Sequence, residues 1–370
     1  MKAKIQFRSE NKISVRIQGV PTTVDFELDE PSERPLTPLA LGNFLALVAF
    51  PFAMKKGLDL ALDFPVDKTL ARNLHELSIV WSQYRPVLFK KPIKIESEVI
   101  DTDSSFQQER TGNLIAFSGG IDSTYAFAVN QFGDTAHPYE IEHAIMIDGF
   151  GYDLNKKQMF DKQKVRNADY LGQFGIKLST VRTNWSKVLH WYQLFHTVGI
   201  AAVMNLYSQS YRGGIIGLDF TYAEEFPLGP WGNTSLIDRL LCSKDFSIHP
   251  MGANKSRTEK LIFLAQNNSV SHLAVCNFMG MLGRNCSHCE KCVRTMLGFI
   301  SQNREVPKEI FSREVTIESI TGIDVKKATQ YIFFKSLMEN WTNPDTTFLV
   351  HIEDKVKGYE FQNGLVSKSI

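Results

Sequence analysis

Net charge is nearly absent from this chain: 41 lysines and arginines stand against 40 aspartates and glutamates, a formal +1. That excludes a protein whose whole surface is a basic platform for nucleic acid. A local patch is left, and Lys2, Lys4, Arg8, Lys90, Lys91 and Lys94 are too few to indicate one. Long apolar runs are lacking too. The best candidate, Leu39 to Met54, is interrupted by Gly42, Asn43 and Pro51 and falls short of the roughly 20 apolar residues that a membrane span needs. Met1 to Arg8 hold no signal-peptide core, so a cytoplasmic protein with no membrane segment is expected. Cysteine is scarce, with five in 370 residues. An odd count without a secretion signal argues against a disulfide framework.

What is present is a change of pattern along the chain. Ile13–Ile17 and Val24–Leu28 alternate with period two and predict antiparallel strands. A mostly buried helix is expected over Leu39–Lys55, a strand over Leu58–Phe64, a helix over Asp67–Tyr84 and a strand over Ile93–Val99. Residues 1–105 thus read as a small α+β domain without a catalytic motif. A polar linker follows, from Asp101 to Asn113. Beyond it strands (114–117, 143–147, 176–181, 214–218, 271–275) alternate with helices (123–132, 156–174, 191–209, 256–267). That alternation predicts an α/β fold with a parallel sheet covered on both faces. Residues 303–370 read as a C-terminal helical extension, with a helix over Val325–Glu339 and a polar tail.

Two motifs carry chemistry. The apolar strand Leu114–Phe117 runs into Ser118-Gly119-Gly120-Ile121-Asp122-Ser123 and then a helix. Glycines let backbone N–H groups approach a phosphate, and the helix N-terminus supplies free donors and a positive dipole end. The loop lacks the Gly-Lys-Ser/Thr of a Walker loop, so no grip on a γ-phosphate is indicated. A bare carboxylate in such a cradle would repel phosphate, which reads Asp122 as a Mg²⁺ ligand. The bland reading is a tight strand-to-helix turn with an Asp-Ser cap. The second motif is Cys276-x9-Cys286-x2-Cys289-x2-Cys292. Its four thiolates suit one tetrahedral Zn²⁺ with a closed, structural coordination sphere. An Fe–S cluster is the rival occupant, and His288 within the motif reads as a surface residue.

Ser118–Ser123 resembles the loop of the N-type ATP pyrophosphatases (PP-loop proteins). Ile248–Gly252, Lys255–Lys260 and Cys276–Arg294 resemble 7-cyano-7-deazaguanine synthase in particular. The resemblance covers residues 113–302. It implies an adenine nucleotide alpha hydrolase-like (HUP) fold, ATP over Ser118–Ser123 with Mg²⁺ on Asp122, and zinc on the cysteines. It also implies a cationic role for Lys255 or Arg257 at the α-phosphate, with Arg294 as a further candidate. The implied activity is AMP-forming C–N ligation: a carboxylate, small or protein-borne, is adenylated and then captured by ammonia or an amine. The family's substrate motifs are replaced here by Trp191–His196 and Leu228–Ser235, so the ATP chemistry carries over further than the substrate. No Gly-x-Cys-x-Gly glutaminase element is present. A nucleobase- or tRNA-modifying enzyme and an inactive nucleotide-binding partner protein are the other readings; a homodimer is compatible with all three.

Other residues are candidates on position alone. Asp148, with Ile147 before it, follows the second parallel strand and is placed to meet adenine. Asp219 and Glu224 follow the fourth strand and could orient an amine. Trp231 could stack on a planar substrate. Lone His196 and His249 read as structural, Arg257 and Lys260 could form a solvated helix face, and Cys242 has no sequence partner.

Overall fold

The computed structural model describes residues 1–101, 110–133, 135–151, 153–229, 231–276 and 284–365. The N-terminal third contains β1 (Lys2–Arg8), β2 (Lys12–Ile17), β3 (Val24–Leu28), α1 (Pro38–Lys56), β4 (Leu60–Leu62), β5 (Val66–Asp67), α2 (Lys68–Tyr84), β6 (Ile95–Glu96) and β7 (Val99–Ile100). The middle alternates: β8 (Thr111–Ala116), α3 (Ile121–Gln131), β9 (Ile141–Asp148), α4 (Lys157–Gly172), β10 (Lys177–Thr183), α5 (Trp185–Leu189), α6 (Tyr192–Asn205), β11 (Tyr211–Gly217), α7 (Tyr222–Leu228), β12 (Ser247–Met251) and α8 (Arg257–Gln266). Then come α9 (Glu290–Ile300), α10 (Ile317–Thr321), α11 (Ala328–Glu339) and α12 (Thr347–Gln362). Most of the expected linker, 102–109, lies outside the described residues.

The chain is α/β around one large, mostly parallel sheet, in the order β12-β11-β8-β9-β10-β3-β2-β1-β4-β6. The five strands from β12 to β10 run parallel. Their period-3.6 crossover helices bring each strand back on the same heading. β10 then pairs antiparallel with β3, Val181 opposite Leu28 and Thr183 opposite Phe26. The described part of the expected N-terminal domain, residues 1–101, therefore continues the sheet of the middle region instead of standing apart. One apolar core, from Ala3 to Ile248, runs through both. The Trp185 indole N–H donates to the Val48 carbonyl at 3.0 Å across this junction.

α1 is buried nearly all round, from Ala40 to Met54. Thr37 caps it, accepting from the Ala40 N–H at 3.2 Å, and Gly57 ends it with φ +62°. By length and composition it is the one described helix able to cross a membrane, more than the interrupted run predicted. Here 83% of its apolar window lies inside the protein.

The strand expected over 271–275 does not form. The Ala274 N–H goes to the Gly119 carbonyl at 2.8 Å and the Val275 N–H to Asn285 Oδ1 at 2.8 Å, so this segment's donors serve loops and not a ladder. The edge position is taken by β12. The expected strand at 93–99 is reduced to β6 and β7, and the expected polar tail forms α12, whose Ile352, Val356 and Tyr359 are buried. α11 and α12 share a second core with α8 and α9.

Candidate functional site

A cavity of about 540 Å³ opens at the C-terminal ends of β8, β9 and β11. This is the crevice where open parallel sheets bind ligands. Ala116 and Phe117, Ile145 and Ile147, and Ile216 and Gly217 form its floor. Ser118, Gly120, Asp122 and Ser123 line one side, and Tyr192, His196 and Trp231 another. Gln193, Asn233, Asp219, Cys276 and Lys291 add to the polar lining.

The Ser/Gly loop is shaped by its own contacts. Ser118 Oγ accepts from the Gly120 N–H at 3.3 Å and lies 3.1 Å from Ser123 Oγ. Gly119 adopts φ +77°, and a Cβ there would collide with Asn167 Oδ1 and Gln163 Nε2. Only glycine fits this turn. Gly120 is the N-cap of α3 and provides no side-chain cap. The first-turn amides of α3 are thus open to an anion or water from the cavity.

Beneath the loop lies a charge cluster that local spacing could not assemble. Arg257 pairs with Asp122 through a short contact and with Asp219 at 3.2 Å. Lys260 is fully buried; its ammonium donates to the Leu218 carbonyl at 2.5 Å and lies 3.4 Å from the other Asp122 oxygen. Burial pulls the Lys260 pKa down, with Asp122 opposing. Burial also disfavours the Arg257 cation, but Asp122 and Asp219 outweigh it and hold its pKa above the ordinary value. The solvated face considered for Arg257 and Lys260 is therefore the interior of the molecule. Arg294 pairs with Glu290 at 3.0 Å, and burial lowers its pKa to about 10. Phe333 of α11 lies against both guanidiniums, 4.5 Å from Arg257 and 4.1 Å from Arg294, and stacks on Phe220 at 5.2 Å. The C-terminal extension thus backs the charge cluster.

Both Asp122 oxygens are engaged by cations. Its charge is neutralised without metal, and the donor set does not fit the Mg²⁺ ligation expected of it.

The four cysteines meet. The sulfurs of Cys276, Cys286, Cys289 and Cys292 lie within 4.8 Å of one another, and Cys286 and Cys292 are 3.6 Å apart. Four sulfurs at about 2.3 Å from one tetrahedral metal would be about 3.8 Å apart. Backbone N–H groups of Cys286 and Cys289 donate to Cys276 and Cys286 sulfurs at 3.4 Å each, an arrangement that favours thiolates. The cluster could hold a metal ion such as zinc. His288 is exposed, with Nδ1 2.9 Å from the Cys286 carbonyl, as a surface residue would be.

Other candidates fall elsewhere. Lys255 is half-buried, sits 3.8 Å from Glu259, and lines a separate surface depression near Phe132 and Asn340. Asp148 pairs with Arg182 at 2.6 Å and lines a different cavity, of about 420 Å³, near Lys157 and Thr180. Ile147, Phe150 and Gly151 keep that turn in the main cavity. Glu224 forms the capping box of α7 with Thr221. Asp219 is at the site, its N–H held at 2.8 Å by Asn233, which also donates to the Gly217 carbonyl and so ties the Trp231 loop to β11. His196 lines the cavity, with its pKa lowered by burial. His249 stacks on Tyr139 at 4.3 Å, and the Cys242 sulfur accepts from the Ile248 N–H at 3.1 Å; both are structural. Sequence reasoning does not mark Lys291 or Phe333 as functional, and it reaches Lys260 only as one of three cations in the Lys255–Lys260 segment and Tyr192 and Asn233 only as members of the segments that replace the substrate motifs. Lys291 has a local signal, standing between Cys289 and Cys292.

The site belongs to an α/β chain with a crevice at its parallel strand ends and a four-cysteine cluster on the rim. Compared with protein-family models, with curated proteins and with solved structures, the chain has no match in any of the three.

Proposed function

We propose that this chain is an ATP-dependent, AMP-forming enzyme of the PP-loop type, with a HUP-like arrangement of its parallel strands. The observation that carries the reading is the uncapped N-terminus of α3, presented with Ser118, Gly120 and Ser123 into a cavity at the strand ends. Phosphate oxygens would accept from the first-turn amides and the two hydroxyls, with the adenosine along the apolar floor between Ile145 and Phe150. A planar acid would lie toward Trp231 and Tyr192.

In the first step a carboxylate oxygen bonds to the α-phosphorus while the bond from that phosphorus to the bridging oxygen breaks, releasing pyrophosphate. In the second, an amine nitrogen attacks the acyl carbon, the acyl–oxygen bond breaks, AMP departs and the nitrogen loses a proton. Charge builds on oxygens in both steps. Arg257 and Lys260, fixed by Asp122 and Asp219, would offer preorganised hydrogen-bond donors under the loop. Asp122 acts in this scheme by orienting cations. Zinc on the four cysteines would hold the first turn of α9 against the cavity rim and take no part in either step.

The test is AMP and pyrophosphate release on incubation with ATP, ammonia and a panel of planar carboxylic acids. Stoichiometric AMP with an acid-dependent rate is expected. A chain that binds ATP yet forms no AMP with any acid overturns the adenylation reading.

A further inference from the structure

The cations around the cavity are unequally committed. Arg257 is engaged by Asp122 and Asp219, Lys260 by Asp122 and a carbonyl, and Arg294 by Glu290. Lys291 is different. It is the one lysine or arginine among the described residues lining the cavity, it is solvent-accessible, and none of the described carboxylates lies within ion-pair distance of it. It shares that cavity with Ser118, Gly120 and Ser123.

Its carrier is built for fixed geometry. Lys291 sits in the first turn of α9, whose N-cap is Cys289, and Cys292 follows it directly. A metal drawing those two sulfurs together with Cys276 and Cys286 would pin the backbone on both sides of Lys291, so the residue lines the cavity from a rigid base. Arg257 and Arg294 are near enough to oppose its charge, and Asp219 and Glu290 near enough to favour it, though neither carboxylate pairs with it. An ammonium that lines an open cavity without a carboxylate partner is satisfied by an anionic ligand.

We propose that Lys291 is an anion-binding residue of the cavity, contacting a phosphate or pyrophosphate group seated on the Ser118–Ser123 loop. The inference rests on the nucleotide reading above and adds to it the residue that meets the ligand's charge from the cysteine side. It also assigns the four-cysteine cluster a consequence beyond folding, because the metal would set the position of this ammonium.

The experiment titrates inorganic pyrophosphate and ATP, separately, into the metal-loaded full chain and its Lys291→Ala and Lys291→Arg variants by calorimetry. Metal content is measured on the same samples. Expected are a loss of at least tenfold in pyrophosphate affinity for Lys291→Ala, recovery to within about threefold for Lys291→Arg, and unchanged metal in both. Unchanged affinity in Lys291→Ala, with the parent binding ATP, overturns this inference and leaves the nucleotide reading standing. Loss of metal in Lys291→Ala makes the lysine a counter-ion of the thiolates and likewise overturns it. A parent chain that binds neither ligand overturns both.

Discussion

Arg257 and Asp122 are joined by an ion pair that ties the first turn of α8 to the first turn of α3. Asp122 also faces the ammonium of fully buried Lys260, so one carboxylate serves two cations in the protein interior. Removing one partner of a buried pair costs about 3–5 kcal/mol, because the remaining charge is stranded. Asp122→Asn is therefore expected to lower unfolding free energy by about 3 kcal/mol in urea titration, together with loss of turnover. A variant of parental stability would show that Arg257 and Lys260 are neutralised by something else.

Gly119 gives a sharper separation of shape from stability. At φ +77° its missing Cβ leaves room for Asn167 and Gln163, whereas at Gly175, with φ +73°, a Cβ would meet nothing within 4 Å. Both Gly→Ala changes incur the left-handed backbone cost of about 1–2 kcal/mol. Only Gly119→Ala should also push the Ser118–Ser123 loop out of place. ATP affinity is expected to fall at least tenfold in Gly119→Ala and stay within twofold of the parent in Gly175→Ala. Equal affinities in the two would mean that the loop's shape does not govern binding.

How far the chain can be read from its sequence follows from which interactions are local. Period-two and period-3.6 patterns mark β8 to β11 and α3, α4, α6 and α8, because each depends on its own residues. β12 is not among the parallel strands expected on pattern; its Pro250 has no N–H to give a ladder, yet the register with β11 runs on through Ile216 and Pro250, because at a sheet edge only one side needs pairing. The joining of β3 to β10 brings Leu28 beside Val181, a pairing no local pattern encodes. The same holds for the site. Ser118–Ser123 and the cysteines are visible as motifs, whereas Lys260 has the sequence setting of a solvated helix residue and is enclosed only by tertiary packing. The Mg²⁺ role expected of Asp122 fails for a related reason: its partners come from another helix, 135 and 138 positions away.

The cysteine cluster makes a compositional prediction. Metal analysis of the purified chain should find one zinc per chain, bound through four sulfurs at about 2.3 Å by X-ray absorption. Cys286→Ser should lose the metal and loosen α9, whose Cys292, Val293 and Met296 are packed in the second core. Hydrogen exchange in 290–300 should rise ahead of exchange in the sheet. Iron, or no metal, in protein prepared with both available would overturn the zinc assignment.

Acid sensitivity should trace to the layer behind the loop. His272 is buried, stacked at 3.8 Å on Tyr170, with Nε2 3.1 Å from Thr124 Oγ1. Burial lowers its pKa from the usual 6.5 to about 3, with Arg166 adding to the effect. Between those values the unfolded chain takes up a proton that the folded chain refuses. The stability due to neutral His272 is therefore complete above pH 6.5 and is lost as pH falls, at up to about 1.4 kcal/mol per pH unit. Burial depresses His143, His196 and His249 in the same direction, so the whole chain should show a steeper slope than one histidine provides. His272→Gln can keep the contact to Thr124 without a titrating ring. Across urea titrations at pH 7, 6, 5 and 4.5 the parent should lose more stability than the variant, by up to about 1.4 kcal/mol for each pH unit below 6.5. Parallel pH profiles for the two proteins would remove His272 from the account.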